Sequence, residues 1–257
     1  MLKNADASDF DKLKCFLSDG IISLRILSYM TAYGFDRNFF KLWYSADENG
    51  ISAVISLFEN SILIKTAENA DMNELSAFLT MLSFDTLSCE KSTADLLGFS
   101  DYSLKQGYIF LGEHSEHTAK NINENDLKGV YKLISERIPG SFGNSKEEYL
   151  SFLSDYTFRA RRNLARGKCV YAGDALASCA VTSAETDNKA LISGVASNAE
   201  LQGGGYGKRA VLSLVNELKC IGKTPYVIAL NDSAKSFYEH LGFEKDNLIA
   251  YINRKDI

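Results

Sequence analysis

The chain has 257 residues, 46% of them hydrophobic and 24% charged, with only 2 prolines and a formal net charge of -5. That length suits one large globular domain or two small ones, and the scarcity of proline argues against long polyproline or disordered segments. An acidic chain has no general pull toward nucleic acid or an anionic membrane surface, so neither is expected as a partner.

The opening stretch, MLKNADASDFDKLKCFLSDG, is charged and mixed and lacks the apolar core of a signal peptide. No run approaches the ~20 apolar residues that span a bilayer. Cys15, Cys89, Cys169, Cys179 and Cys220 are scattered and form no C-x-x-C pair. They read as reduced, mostly buried thiols of a cytoplasmic protein, not as a disulfide frame or a zinc site.

Apolar residues then recur at helical spacing through FDKLKCFLSDGIISLRILSYMTAYG, with breaks at Gly20 and Gly34. Strands follow: a run ending at Tyr44, the turn cluster ADENG, then ISAVISLF and ILIKTA separated by ENS. DMNELSAFLTML predicts a helix opening at Asp71, with Glu74 completing a variant capping box. LSCE, KSTADLLGF and YIFLG finish the front half.

The polar, aperiodic stretch EHSEHTAK, Glu113 to Lys120, marks a domain boundary, giving a first domain over 1–113 and a second over 114–257. His114 and His117 lie three apart here, but no third ligand accompanies them, so they read as solvated linker histidines and no metal is expected. The back half starts again with helices, NENDLKGVYKLISERI and SKEEYLSFLSDYTFRARRNLARG. The second carries Arg159, Arg161, Arg162 and Arg166, a basic face that is either solvated or an attraction for an anionic group. KCVYAG, ALASCAVTSAE and KALISGVAS predict three successive antiparallel strands, with tight turns at Gly173-Asp174 and at TDN. Next come a glycine loop, a helix reaching Leu218, the strand YVIAL and the short helix DSAKSFYEHL ended by Gly242. Both halves thus run helices, strand meander, helix, and later Leu-Gly-Phe, at Leu97-Gly98-Phe99 and Leu241-Gly242-Phe243. The repeated order points to a duplicated unit. TAENADMNELSAF stands in the front copy where the glycines stand in the back one.

The loop reads Gln202-Gly203-Gly204-Gly205-Tyr206-Gly207-Lys208-Arg209. Backbone N–H groups at a helix N-terminus bind anions, and glycine lets the anion come close. The following helix has a clear apolar face in Val211, Leu214, Val215 and Leu218. A P-loop fails because Arg209 replaces the magnesium-binding hydroxyl and Gln202 the first glycine. A dinucleotide loop started at Gly203 fails because Lys208 stands at its last glycine and the lead-in is an antiparallel meander. These failures disfavour a nucleotide hydrolase.

The pattern Q/R-x-x-G-x-G/A is matched in full by Gln202 to Gly207. With NDSAKSFYEHLGF in the right order behind it, the back half resembles the GNAT-type N-acetyltransferase superfamily; the front half resembles it only in its strand pattern and LLGF. The resemblance implies an α/β (α+β) fold: a mixed, mostly antiparallel central sheet flanked by helices, in two related tandem domains. It also implies acetyl-CoA as cosubstrate. The amides of Gly203, Gly204, Gly205, Tyr206, Gly207 and Lys208, with Gln202 at the loop's start, would grip its pyrophosphate. The backbone of Gly194, Val195, Ala196 and Ser197 would pair with the pantetheine arm and aim an N–H at the thioester oxygen, as an oxyanion-hole donor does. Asn231, at the end of the fifth strand, would touch the pantetheine or diphosphate arm, cap the next helix, or do both. Tyr238 matches the family's general acid, and a phenol with a pKa near ~10 is protonated at neutral pH. The glutamate many relatives carry on the fourth strand has no counterpart in KALISGVAS, where Ser193 and Ser197 are the hydroxyl side chains. Glu185 and Asp187 belong at the turn end of that hairpin. Glu136, Phe142, Glu147 and Glu148, between the first two helices of the back half, are candidates to meet an amine or are simply solvated.

The expectation is therefore an enzyme moving an acetyl group from acetyl-CoA directly to a primary amine of a small molecule or peptide, as a monomer or homodimer. A non-catalytic acyl-CoA-binding or regulatory module is the alternative.

Overall fold

The computed structural model describes residues 1–113, 116–138, 140–141, 143 and 145–256. His114 and Phe142, singled out above, lie outside the described residues. In chain order the elements are β1 (Lys3–Asn4), α1 (Phe10–Phe16), α2 (Gly20–Tyr33), β2 (Phe40–Asp47), β3 (Gly50–Phe58), β4 (Ser61–Thr66), α3 (Met72–Met81), β5 (Thr86–Glu90), α4 (Lys91–Leu96) and β6 (Ser103–Phe110). They continue with β7 (Lys120–Asn121), α5 (Leu127–Arg137), α6 (Lys146–Ala160), β8 (Gly167–Ala172), β9 (Ala175–Glu185), β10 (Lys189–Ser197), α7 (Tyr206–Cys220), β11 (Thr224–Ala229), α8 (Asp232–His240) and β12 (Phe243–Asn253). The fold is the expected mixed α/β arrangement, with mostly antiparallel strands and flanking helices. Among the described residues no helix is long and apolar enough to cross a membrane.

The chain separates into two compact units. The first comprises Met1–Gly107, Ala229–Lys235 and Lys245–Ile257, and the second Tyr108–Ile228 and Ser236–Glu244. The change of unit falls at Gly107 and Tyr108, a few residues before the polar stretch, and two C-terminal stretches group with the front of the chain.

In the first unit β1 to β4 pair antiparallel in sequence order, β4 lies parallel to β5, and β12 pairs antiparallel with β5. Alternation along these strands turns Ile55, Ile62, Ile64, Leu87, Ala250 and Ile252 to one face, where Leu75 and Leu79 of α3 cover them. Asp71 caps α3 by accepting from the N–H groups of Asn73 and Glu74, both at 3.0 Å. The expected capping box is only half present. The Glu74 carboxylate instead takes the N–H of Leu2 at 2.5 Å and the hydroxyl of Ser45 at 3.1 Å, tying the helix to the sheet.

The second unit repeats the plan. β7 to β10 pair antiparallel in order and β10 lies parallel to β11. Val211, Leu214, Val215 and Leu218 of α7 are fully buried, and α7 packs on β8, β9 and β10. On the other face α5 and α6 bring Leu127, Val130, Ile134 and Tyr156 onto Cys179, Val181 and Ala196. Both Leu-Gly-Phe tripeptides follow a short helix that itself follows a parallel strand. Their glycines share the left-handed region, at φ +75° for Gly98 and +89° for Gly242.

Glu185 ends β9, at the turn end of the hairpin, and is fully buried. Arg166 reaches it through Nε at 3.0 Å, Lys223 through Nζ at 2.7 Å and Thr182 through Oγ1 at 2.6 Å. This buried carboxylate bonds to cations from the start of β8 and of β11. Removing one member of such a group leaves the others charged and dry. Glu185→Ala is therefore expected to cost about 3–5 kcal/mol of unfolding free energy in a urea titration. A loss below about 1 kcal/mol would show that the carboxylate is dispensable.

Candidate functional site

β10 pairs with β11 from Lys189 opposite Thr224 to Ile192 opposite Val227. β10 then runs on to Ser197 in contact with β9 alone among the described pairings, so the two parallel strands part beyond Ile192. A register shift against β9 falls between Ser193 and Ala196, a bulge holding Gly194 and Val195. Gly194 sits at φ +54°, and a Cβ there would come within 2.6 Å of Val181 Cγ2 and 2.8 Å of Ile134 Cδ1. Only glycine satisfies both the conformation and the space. The bulge is pinned from β9: the Cys179 thiol donates to the Gly194 carbonyl at 3.5 Å and the Ser178 hydroxyl to the Ala196 carbonyl at 2.8 Å. Ser197 Oγ donates to Ser178 Oγ at 3.0 Å.

Gln202, Gly203, Gly204 and Gly205 form an exposed turn ahead of α7. Gly205 is the N-cap residue, left-handed at φ +72°, and carries no side chain to engage the helix's first amides. A Cβ on Gly203 or Gly205 would meet nothing within 4 Å, so the space over the loop is open to a ligand. Gly207 faces inward: a Cβ there would lie 3.1 Å from Ser197 Oγ and 3.7 Å from Phe237 Cζ. The helix start thus rests directly on the end of β10 and on α8. Half-buried Tyr206 folds back beneath Gly204. Lys208 is exposed, whereas Arg209 Nε donates to the Thr118 carbonyl at 2.7 Å and fixes the preceding segment.

Tyr238 lies on α8 and is 6% exposed, more buried than its neighbour Phe237. Its ring packs against Tyr108 at 6.3 Å, Phe237 at 5.4 Å and Phe243 at 5.5 Å between centroids. Burial pushes its phenol well above the usual tyrosine value, so it stays protonated through neutral pH. Its hydroxyl makes no hydrogen bond with the described residues. Tyr108 carried no signal in the sequence; it supports Tyr238, donates to Glu239 Oε1 at 3.0 Å, and burial raises its own phenol to about 12.

Asn231 falls in the 229–235 stretch that groups with the first unit. The strand before it ends at Ala229, and its Oδ1 accepts the Ala234 N–H at 2.9 Å, which is the helix cap anticipated as one of its roles.

The basic face of α6 is consumed locally. Arg159 bonds to Asp155, Arg161 pairs with Glu124, Arg162 stacks on Phe158, and Arg166 holds Glu185. Glu148 closes a capping box with Ser145 and also takes the Gly143 N–H at 3.1 Å, and Glu136 pairs with Lys132. Glu147 is exposed in the first turn of α6. No cluster of three metal-ligating side chains occurs among the described residues.

The corresponding place in the first unit is built differently. Past the last β4–β5 pair, Lys65 Nζ reaches Glu90 Oε1 at 2.6 Å and the hydroxyls of Thr66 and Thr93 lie 2.8 Å apart. Side chains there bridge the gap that opens in the second unit. The first amides of α3, free in a glycine loop, are taken by Asp71.

The second unit is thus an α/β domain in which a parallel strand pair parts beside an uncapped, glycine-led helix. Residues 127–243 match the model of the acetyltransferase (GNAT) family, and this part of the chain is a GNAT acetyltransferase domain, an acyltransferase by family. An acetyltransferase of that family from Colwellia psychrerythraea shares 12% identity at a TM-score of 0.66, covering 98% of this chain and 99% of its own. A tandem GNAT protein from the clavulanic acid biosynthesis pathway aligns at 12% identity and TM-score 0.64 over 98% of both chains. A GCN5-related N-acetyltransferase from Sphaerobacter thermophilus aligns at 12% and 0.64 over 98% and 95%. At these identities the likeness is one of fold, and it takes in both units. No curated protein matches the chain by sequence.

Proposed function

We propose that the second unit transfers an acetyl group from acetyl-CoA directly to a primary amine of a small molecule or peptide. The observation carrying this reading is the uncapped start of α7, whose amides open onto free space beside the parting of β10 and β11. The residues fit the cosubstrate. The amides of Gly203 to Lys208, with Gln202 at the entrance, would hold the pyrophosphate through unpaired donors and the helix dipole. The backbone of Gly194, Val195, Ala196 and Ser197 lacks a β11 partner and would receive the pantetheine arm as a strand does. An N–H of that bulge would polarise the thioester carbonyl. Acetyl-CoA supplies an acyl group activated as a thioester. Tyr238 holds the proton that the departing thiolate needs, and Asn231 is assigned a contact to the diphosphate or pantetheine arm besides its cap. The first unit is proposed as a copy that has given up this binding, since Asp71 and the Lys65–Glu90 pair occupy both elements of the site. A cytoplasmic setting and a monomer or homodimer accompany the proposal.

Free thiol release in the presence of acetyl-CoA and a broad amine panel tests it. Release above the buffer rate is expected with some amine. Cofactor binding with no release from any amine would leave a non-catalytic acyl-CoA-binding module instead.

A further inference from the structure

We infer that this site acts on amines that carry little proton at neutral pH, α-amino groups in preference to lysine-type alkyl amines. The inference rests on the acyl-transfer reading and on what the strands present at the bulge. Ser193 directly precedes Gly194, and its hydroxyl lies 2.8 Å from that of Ser183 on β9. A serine hydroxyl passes a proton along only by receiving one, so this pair can orient an amine or a water but not store its proton.

Among the described residues, the charged groups packed against this face are paired, and burial holds the Tyr156 phenol and the Cys179 thiol protonated. From α6, Arg159 donates to the Ser183 carbonyl at 3.2 Å and binds Asp155 through Nε at 3.0 Å and Nη2 at 2.6 Å. Burial raises the Tyr156 phenol of the same helix well above its usual value. From α5, Tyr131 donates to the Gly143 carbonyl at 2.8 Å. On β9, burial raises the Cys179 thiol to about 12, and Glu185 is held by Arg166 and Lys223. On β11, Tyr226 lies under the Lys189 ammonium, 5.8 Å from its centroid. Among the described residues, what the strands present beside the bulge is thus a pair of hydroxyls, and an acceptor received there has to arrive neutral. With α-amines near pKa 7.7–8.0 and lysine near 10.4, about a tenth of the former and about one in 2,500 of the latter is neutral at pH 7.

The test is the pH dependence of kcat/KM for a simple dipeptide and for Nα-acetyl-lysine amide, on the full chain and on Asp155→Asn. Log kcat/KM is expected to rise with unit slope and level off at each amine's own pKa. The dipeptide should be favoured by about 250-fold at pH 7, and Asp155→Asn should leave both profiles in place. An inflection at the same pH for both amines would identify an enzyme base and overturn the inference while leaving acyl transfer intact. So would an Asp155→Asn profile flattened relative to the parent. Absence of thiol release with either amine at every pH would overturn the acyl-transfer reading, and the inference with it.

Discussion

Gly205→Glu is expected to weaken CoA binding by at least ~100-fold, about 2.7 kcal/mol, in a calorimetric titration. The carboxylate would enter the open space over the loop, where the incoming pyrophosphate is also negative. A carboxylate at this helix start would also be attracted by the positive end of the α7 dipole and so compete with the ligand's own charge. A side chain at φ +72° brings strain of its own, about 1–2 kcal/mol. Gly205→Ala carries the strain without the charge and separates the two effects. The alanine variant should lose stability in urea yet keep most of its affinity. Affinity retained in the glutamate variant would sink the loop assignment.

Tyr238→Phe should lower kcat by roughly 100-fold, the order expected for loss of a general acid, while changing acetyl-CoA affinity by no more than about twofold. The ring's packing on Tyr108, Phe237 and Phe243 survives the substitution; only the hydroxyl is lost. Because burial raises this phenol, no loss of rate from its ionisation is expected anywhere in the neutral range. Unchanged turnover would remove Tyr238 from the mechanism and leave it a packing residue.

Much of this was legible in the residues because local rules and tertiary structure agree. Runs bounded by turn clusters located β2 to β4 and β8 to β10, and the apolar face of α7 emerged as written, with Val211, Leu214, Val215 and Leu218 fully buried. The glycine loop was legible because two nucleotide codes could be tested and failed at Lys208 and Arg209. What stayed hidden depends on partners distant in sequence. Nothing local tells Arg209 that it will hold Thr118, Glu74 that it will reach Leu2 and Ser45, or Tyr108 that it will stand behind Tyr238. Glu185 shows the same limit. Its place at the end of the hairpin follows from the turn, but its complete burial follows from Arg166 and Lys223, which arrive from two other strands.

β12 belongs with β5: Ile249 to Asn253 pair with Glu90 to Thr86, and Ala250 and Ile252 complete the core under α3. The part of the chain that leaves the ribosome first is therefore finished last. Until residues 245–257 have been made, β5 has an unfilled edge and the apolar layer beneath α3 lacks one row. The second unit, contiguous apart from one short excursion, can close while the first still waits. Shortening the chain after Glu244 would injure the front unit, not the unit that precedes the cut.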